Sequence, residues 1–381
     1  MNVATARLGA RALNRALLSR QYLLRRLDLP EREVVEHLVG MHAQIPVGPY
    51  IGLWSRLAGY RPDRLSTMVT NRELVRTALM RSTIHLVTPD DCMTLRPLVQ
   101  QVLDRDLYTN SSHAAVVKGL DLDEVVAAGL ALLDEQPRTP ADLGRALHER
   151  WPDRKPDTLA YAVRNLSALV QIPPRGTWGG TSRTIHASAT TWLDRPVDPA
   201  PSVETMIRRY LAAFGPASVN DVQAWCGLTK LNEVVGRIRS SLRVYLDDNG
   251  KELFDVPEGE LPDADAPAPP RYLPEFDNVL LSHANRERII PDGLSFAEWC
   301  RRYGLMMTVR GGVLRGNLLI GGLLNGIWRI DKEKKSYTLV VEPFTKVSKK
   351  DLTALEKDGH ALLEFAFPKA ESRAVQVLPS R

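Results

Sequence analysis

Apolar residues recur at near-helical spacing from the start of the chain. Leu13, Leu17, Leu24 and Leu27 predict a helix over residues 5–27. Asp28 and Pro30 mark a second helix start, with Glu31 and Glu33 in its first turn. Val34, Val35, Leu38 and Met41 extend the apolar face of that second helix. Pro46 cannot continue it, and proline pushes the preceding Ile45 out of helical geometry. Helices near 50–57 and over 71–80 follow, then a strand over 82–87 bounded by Thr88-Pro89.

The middle of the chain runs twice through one order. Over 121–195 the pattern predicts helices at 122–133, 143–150 and 157–170, with Thr139 capping a turn that has Pro140 at its first position. A twisted hairpin over 177–187 follows, with Gly179-Gly180 at its turn. Over 202–256 a helix at 203–213, a short helix capped by Ser218 and a helix at 230–239 precede strands at 242–246 and 253–256, joined through Asp247-Asp248-Asn249-Gly250. Three helices and a basic hairpin, twice over, is the order of a winged helix. Residues 257–270 are acidic and proline-rich and read as a linker. Beyond it, short apolar runs at 279–281, 306–309, 313–314, 318–320, 326–330 and 338–341 predict a small antiparallel sheet or partial barrel. Its glycines, from Gly311 to Gly326, read as turns and bulges and not as a phosphate loop.

The expected fold is thus α+β: tandem winged helices and a C-terminal β-rich, barrel-like domain. The expected boundaries are 1–120, an N-terminal helical or winged-helix domain; 121–198 and 199–260, two further winged helices; and 261–381, the β-rich domain.

Composition narrows the function. With 381 residues the chain has room for a sizeable core without staples. Three scattered cysteines, Cys92, Cys226 and Cys300, form neither a disulfide framework nor a zinc pair, so the expected home is a reducing cytoplasm. The first residues lack a signal peptide's apolar run, and no stretch approaches the roughly 18 apolar residues of a membrane span. Common nucleotide-loop, zincin and serine-hydrolase motifs are missing, and no metal or cofactor is expected. The net charge of +5 is unevenly spread. Residues 1–81 hold 13 Arg and 6 acids, residues 252–277 hold 8 acids against Arg271, and residues 278–381 hold 17 basic residues and 11 acids. Two basic ends around an acidic connector point to a polyanion touched from two sides.

The segment Gly40-Met41-His42-Ala43-Gln44-Ile45-Pro46 carries the chemistry-bearing pair His42 and Gln44. On a continuous helix, residues two apart point about 200° apart. They share a site only if the helix ends between them, as Pro46 allows. Spacing alone favours an ordinary helix C-terminus, with His42 near its cap and Gln44 solvated.

Four strings in order along the chain add to this. They are Leu38-Val39-Gly40-Met41-His42-Ala43-Gln44, Pro49-Tyr50-Ile51-Gly52-Leu53-Trp54-Ser55-Arg56-Leu57, Met80-Arg81-Ser82-Thr83-Ile84-His85-Leu86-Val87 and Leu273-Pro274-Glu275-Phe276-Asp277-Asn278-Val279-Leu280-Leu281-Ser282-His283-Ala284. Together they resemble the AlkZ/YcaQ family of bacterial winged-helix DNA glycosylases, over nearly the whole chain. The resemblance implies a C-shaped arrangement cradling duplex DNA and excision of N7-alkylated purines, including bulky guanine adducts and interstrand crosslinks. It further implies self-resistance to a DNA-alkylating antibiotic. The family motif is Gln-x-Gln or Gln-x-Asp; Gln44 matches its second position, and His42 departs from its first. Catalysis is therefore expected from His42 and Gln44.

Candidate DNA contacts are Arg81 and His85 on the first block's strand and Arg175 and Arg183 on the wing. A basic turn within 281–290 adds Ser282, His283, Asn285, Arg286 and Arg288 as a groove-entering hairpin. The expected partner is double-stranded DNA containing alkylated purines, the expected location the nucleoid, and the expected state a monomer, since no long dimerisation helix is visible. No lysine precedes Lys118, so lyase chemistry is not expected. A winged-helix regulator or a drug-sequestering protein are the competing readings; neither requires His42 and Gln44.

Overall fold

A computed structural model describes residues 6–291, 294–303 and 311–380. Over the described residues the chain is an α+β protein with two five-stranded sheets and a two-stranded hairpin. The strands are β1 (Met41–His42), β2 (Val75–Ala78), β3 (Ile84–Val87), β4 (Leu169–Gln171), β5 (His186–Ser188), β6 (Arg243–Leu246), β7 (Glu252–Asp255), β8 (Arg271–Pro274), β9 (Leu314–Ile320), β10 (Leu323–Glu333), β11 (Ser336–Pro343) and β12 (Ser372–Val377).

The first sheet has the order β1-β3-β2-β4-β5, so the strands of the second block extend the sheet of the first. Three expectations fail in these two blocks. The first helix is confined to Ala10–Arg20. No helix covers 71–80; a helix at Pro62–Thr70 is followed by β2, whose Val75 and Thr77 suit a pleated ladder and pair with Val87 and His85 of β3. The expected hairpin at 177–187 is an irregular connection, and the strands that meet are β4 and β5. Helices Leu122–Glu135, Pro140–Arg150 and Pro156–Leu166 lie close to expectation. The Thr139 hydroxyl accepts the Asp142 N–H (3.1 Å) as the predicted cap. These helices enclose a small core of their own around Val125, Leu143 and Leu159.

The third block keeps its predicted order: helices Val203–Phe214, Val219–Cys226 and Leu231–Ile238, then β6 and β7. Ser218 and Asp221 form a reciprocal capping box at the second helix. The linker at 257–270 lacks regular structure but is tied down, because Arg11 and Arg15 donate to the carbonyls of Ala264 and Ala266.

The C-terminal sheet is open, in the order β12-β11-β10-β9-β8. The barrel expectation is corrected: the last strand, β12, joins β11 in parallel after the helix Lys349–Ala366 and does not close onto β8. A parallel step needs such a crossover. The apolar run at 279–281 is a helical turn, Asn278–Leu281, and the strand in that region is β8 just before it. The expected strand at 306–309 lies outside the described residues. One continuous apolar core runs from the first block through the third block into the C-terminal sheet, so it does not break at residue 199 or 261.

Candidate active site

The chain enters the site through a reversal. The helix Glu31–His37 stops, and Val39 and Gly40 adopt left-handed backbone at φ +53° and +87°. Gly40 is required there twice over: its φ suits glycine, and a Cβ would lie 2.5 Å from Val87 Cγ1. Met41 and His42 then form β1, paired with Leu86 and His85 of β3. The expectation of a helix through Met41 that ends between His42 and Gln44 is therefore corrected. His42 ends a short strand and Gln44 follows in a bend, held to the same β3 neighbour through the Ala43 and Gln44 contacts with Ile84.

Gln44 completes the ladder with its side chain. Ala43 N–H donates to Ile84 O (2.7 Å), and Ile84 N–H donates to Gln44 Oε1 (3.1 Å). Because the backbone N–H requires an acceptor, the amide oxygen is fixed inward, and the two Nε2 hydrogens of this exposed residue are left for a ligand.

His42 is buried, 8 % exposed. Its ring lies 5.2 Å from Phe276 and meets His85 edge-on at 5.6 Å. Burial pushes its pKa down to about 4; the nearby positive charge of Arg81 adds to the shift and Asp277 opposes it. The imidazole is neutral at pH 7, a proton acceptor and not a cation.

The C-terminal block pins this strand. Asn278 Nδ2 donates to Gly40 O (2.7 Å), and Asn278 Oδ1 accepts His42 N–H (3.0 Å). Asn278 is fixed by its neighbour: Asp277 takes both terminal nitrogens of Arg56 at 2.7 and 2.8 Å and accepts Val279 N–H at 3.0 Å. Both side chains of the ion pair are essentially inaccessible to water. The helix Gly48–Arg56 thus links the segment after Gln44 to the turn that holds His42.

His42 lines a cavity of about 240 Å³ with Ile45, Val47, Phe276, Glu275 and Arg315 among its walls. Glu275 is buried, and its Oε2 accepts Arg315 Nε (2.9 Å). Asn278, Asp277, Arg56 and Glu275 lie within the strings that carry the family resemblance, yet sequence reasoning assigned them no role. Their pattern is not periodic, and only the fold brings residues 273–278 against residues 40–56.

The other expected site residues divide. Arg81 is in a short helical turn, Met80–Ser82, not on the strand, and donates to Trp225 O. His85 is on β3, buried, with Nδ1 3.0 Å from Thr83 O, and burial holds its pKa well below the ordinary range. Arg175 is half-buried and donates to Ser182 O, whereas Arg183 is exposed. The groove-entering hairpin is not formed: residues 281–290 are a loop with a helical turn at Glu287–Ile289. Ser282, His283 and Arg288 are corrected to interior residues. Ser282 Oγ lies 2.8 Å from His283 Nδ1, and Arg288 donates to Pro216 O (3.0 Å). Asn285 is exposed, and Arg286, half-buried, lies 4.2 Å over the Phe296 ring. Arg81, Arg175 and Arg286 form no salt bridge among the described residues. Among those residues no helix is long and apolar enough to cross a membrane.

Comparison with known proteins identifies the family and the fold. The chain is 25% identical over 365 residues to an interstrand DNA cross-link repair glycosylase of Streptomyces sahachiroi, covering 90% of this chain and 92% of that protein. The solved structure of the Streptomyces sahachiroi DNA glycosylase AlkZ shares the fold at a TM-score of 0.78, with 21% identity, 98% of this chain and all of that chain covered. Residues 35–365 match the family of AlkZ-like DNA glycosylases, and the chain belongs to that family, whose members hydrolyse N-glycosyl bonds in DNA.

Proposed function

We propose that this glycosylase excises N7-alkylated purines, bulky guanine adducts among them, from double-stranded DNA. We further infer that it acts as a monomer, that crosslinked guanines are within its range, and that it serves self-resistance to a DNA-alkylating antibiotic. The relative named for interstrand cross-link repair supports the crosslink part. The observation that carries the reading is a neutral His42 and a Gln44 whose amide hydrogens have no partner among the described residues, two apart on one segment pinned by Asn278 and Ile84.

The chemistry needs little more. An N7-alkylguanine is cationic, so the C1′–N9 bond breaks with its electron pair going to the base, which leaves neutral without a proton. The positive charge passes to C1′ and O4′ of the sugar. Gln44 Nε2 donates to the oxygen of one water and holds it at C1′, leaving a lone pair for attack. As the C1′–O bond forms, one water proton passes to the His42 imidazole and then to solvent. Arg81, Arg175, Arg183, Asn285 and Arg286 supply phosphate and groove contacts.

The test is single-turnover release of 7-methylguanine and of a bulky N7 adduct from duplex DNA, read as alkali-labile strand breaks. His42→Ala and Gln44→Ala should each slow release by about 10²-fold or more. Wild-type rates in both variants refute the assignment; a shifted band with no breaks from the unaltered protein marks a DNA binder.

A further inference from the structure

We propose that Glu275 is a third catalytic residue, the carboxylate that stabilises the sugar cation in the His42 cavity. The inference rests on the excision reading above and deepens it.

Three observations converge on Glu275. First, it lines the same cavity of about 240 Å³ as His42, and it is the only acid among the described residues that line it. Second, its carboxylate is 6% exposed, and only one oxygen has a partner: Oε2 takes Arg315 Nε, while Oε1 has no hydrogen-bond partner among the described residues. Third, its backbone is fixed from outside the cavity, since Asn317 Nδ2 donates to Glu275 O (3.0 Å) and Phe276 next to it packs on the His42 ring. A buried acid held this way, with an oxygen left without a partner among the described residues, is a pre-placed negative charge.

The reaction gives that charge a use that His42 and Gln44 cannot supply. Both are uncharged, so neither stabilises a cation by more than a dipole. The substrate carries one positive charge throughout bond breaking, but the charge moves from the purine to C1′ and O4′. A fixed carboxylate on the sugar side therefore interacts more strongly with the transition state than with the bound substrate, which is the condition for accelerating the step. The low polarity of a cavity walled by Ile45, Val47 and Phe276 strengthens the effect. Arg315, 40% exposed in its side chain, is a positioning residue: one guanidinium nitrogen orients the carboxylate while the rest of the group stays in water.

Glu275→Gln keeps the shape and removes the charge. The expected result is a loss of 10-fold to 10²-fold in single-turnover excision of 7-methylguanine at saturating protein, with affinity for undamaged duplex changed less than threefold. Arg315→Gln, which removes the partner and keeps the carboxylate, should cost less than Glu275→Gln; equal losses would assign Glu275 to structure alone. A second readout needs no turnover. Duplexes carrying a cationic pyrrolidine in place of the sugar should bind the unaltered protein at least 10-fold tighter than those carrying neutral tetrahydrofuran, and Glu275→Gln should abolish that preference. If Glu275→Gln retains both the excision rate and the preference, the proposal is overturned. If the unaltered protein shows a Glu275-dependent preference but releases no 7-methylguanine, Glu275 stands and the N7-alkylpurine reading fails.

Discussion

The pair Arg56–Asp277 offers a quantitative test of how the site is held. Replacing Asp277 by Ala leaves the Arg56 guanidinium fully buried with Gly52 O and Gln21 Oε1 as its remaining partners. Removing one member of a buried ion pair typically costs about 3–5 kcal/mol, because the other charge stays desolvated. The Val279 N–H loses its cap in the same step, for about 1 kcal/mol more. Together these come to about 4–6 kcal/mol. At about 2 °C per kcal/mol, the low end for large domains, Tm should fall by about 8–12 °C. The assay is a thermal melt of Asp277→Ala, Arg56→Met and the double variant. Arg56→Met removes the stranded charge, so the double variant should be more stable than the sum of the single losses by about 2 kcal/mol or more. A fall of less than about 2 °C for Asp277→Ala, or strict additivity in the cycle, refutes the reasoning.

Further outcomes follow from the same contacts. Gly40→Ala introduces a Cβ at a position with φ +87° and 2.5 Å from Val87 Cγ1, so excision should fall at least 10-fold while affinity for undamaged duplex holds within a few-fold in a gel shift. Asn278→Ala removes both bonds that pin β1 and should lower stability by about 1–3 kcal/mol in urea denaturation and slow excision more than it weakens binding. His42, His186 and His283 have pKa values lowered to about 4, 4 and 3, and His85 is shifted the same way. Their unfolded forms protonate near pH 6.5, so stability is full above that value and declines as pH falls toward 4, by about 1.4 kcal/mol per unit for each such histidine. Melts between pH 4 and 8 read this; a Tm flat from pH 6.5 to 4.5 contradicts it. Excision should stay level from pH 6 to 8, because His42 does not titrate there.

Periodicity made some elements of this fold legible and hid others for identifiable reasons. The helices of the second and third blocks were readable because each carries a local start signal, Thr139 with Pro140 or Ser218 with Asp221. The helix over 31–37 was overextended because Leu38 and Met41 are apolar at helical spacing, yet both are buried for other reasons, Met41 in β1 with its Cε lying against Gly52. Nothing periodic marks Val39 and Gly40 as a reversal; only the close approach of Val87 does. His42 and Gln44 were found by residue type and resemblance. Asn278 and Asp277 were not, because their roles depend on contacts more than 200 residues away in sequence, nor was Glu275, which only the fold brings to the cavity that His42 lines.

The charge pattern changes meaning in the same way. The basic first block and the acidic stretch at 252–277 read as a DNA-facing arm and a linker, but in the fold they neutralise one another. Arg20 pairs with Asp255 and Arg56 with Asp277, both out of contact with water, and Arg11 pairs with Asp265 at the surface. Part of the N-terminal arginine excess is therefore structural and unavailable to phosphate. The arginines proposed to contact DNA, Arg81, Arg175, Arg183 and Arg286, form no salt bridge among the described residues, and the charge of Arg286 lowers the Arg81 pKa as that of Arg81 lowers the His42 pKa. Burial is the larger cause of the neutral His42 imidazole and the Arg81 charge the smaller, so a phosphate brought to Arg81 would offset only the smaller part. If Arg81 engages phosphate as proposed, seating the duplex should make the imidazole a slightly better acceptor.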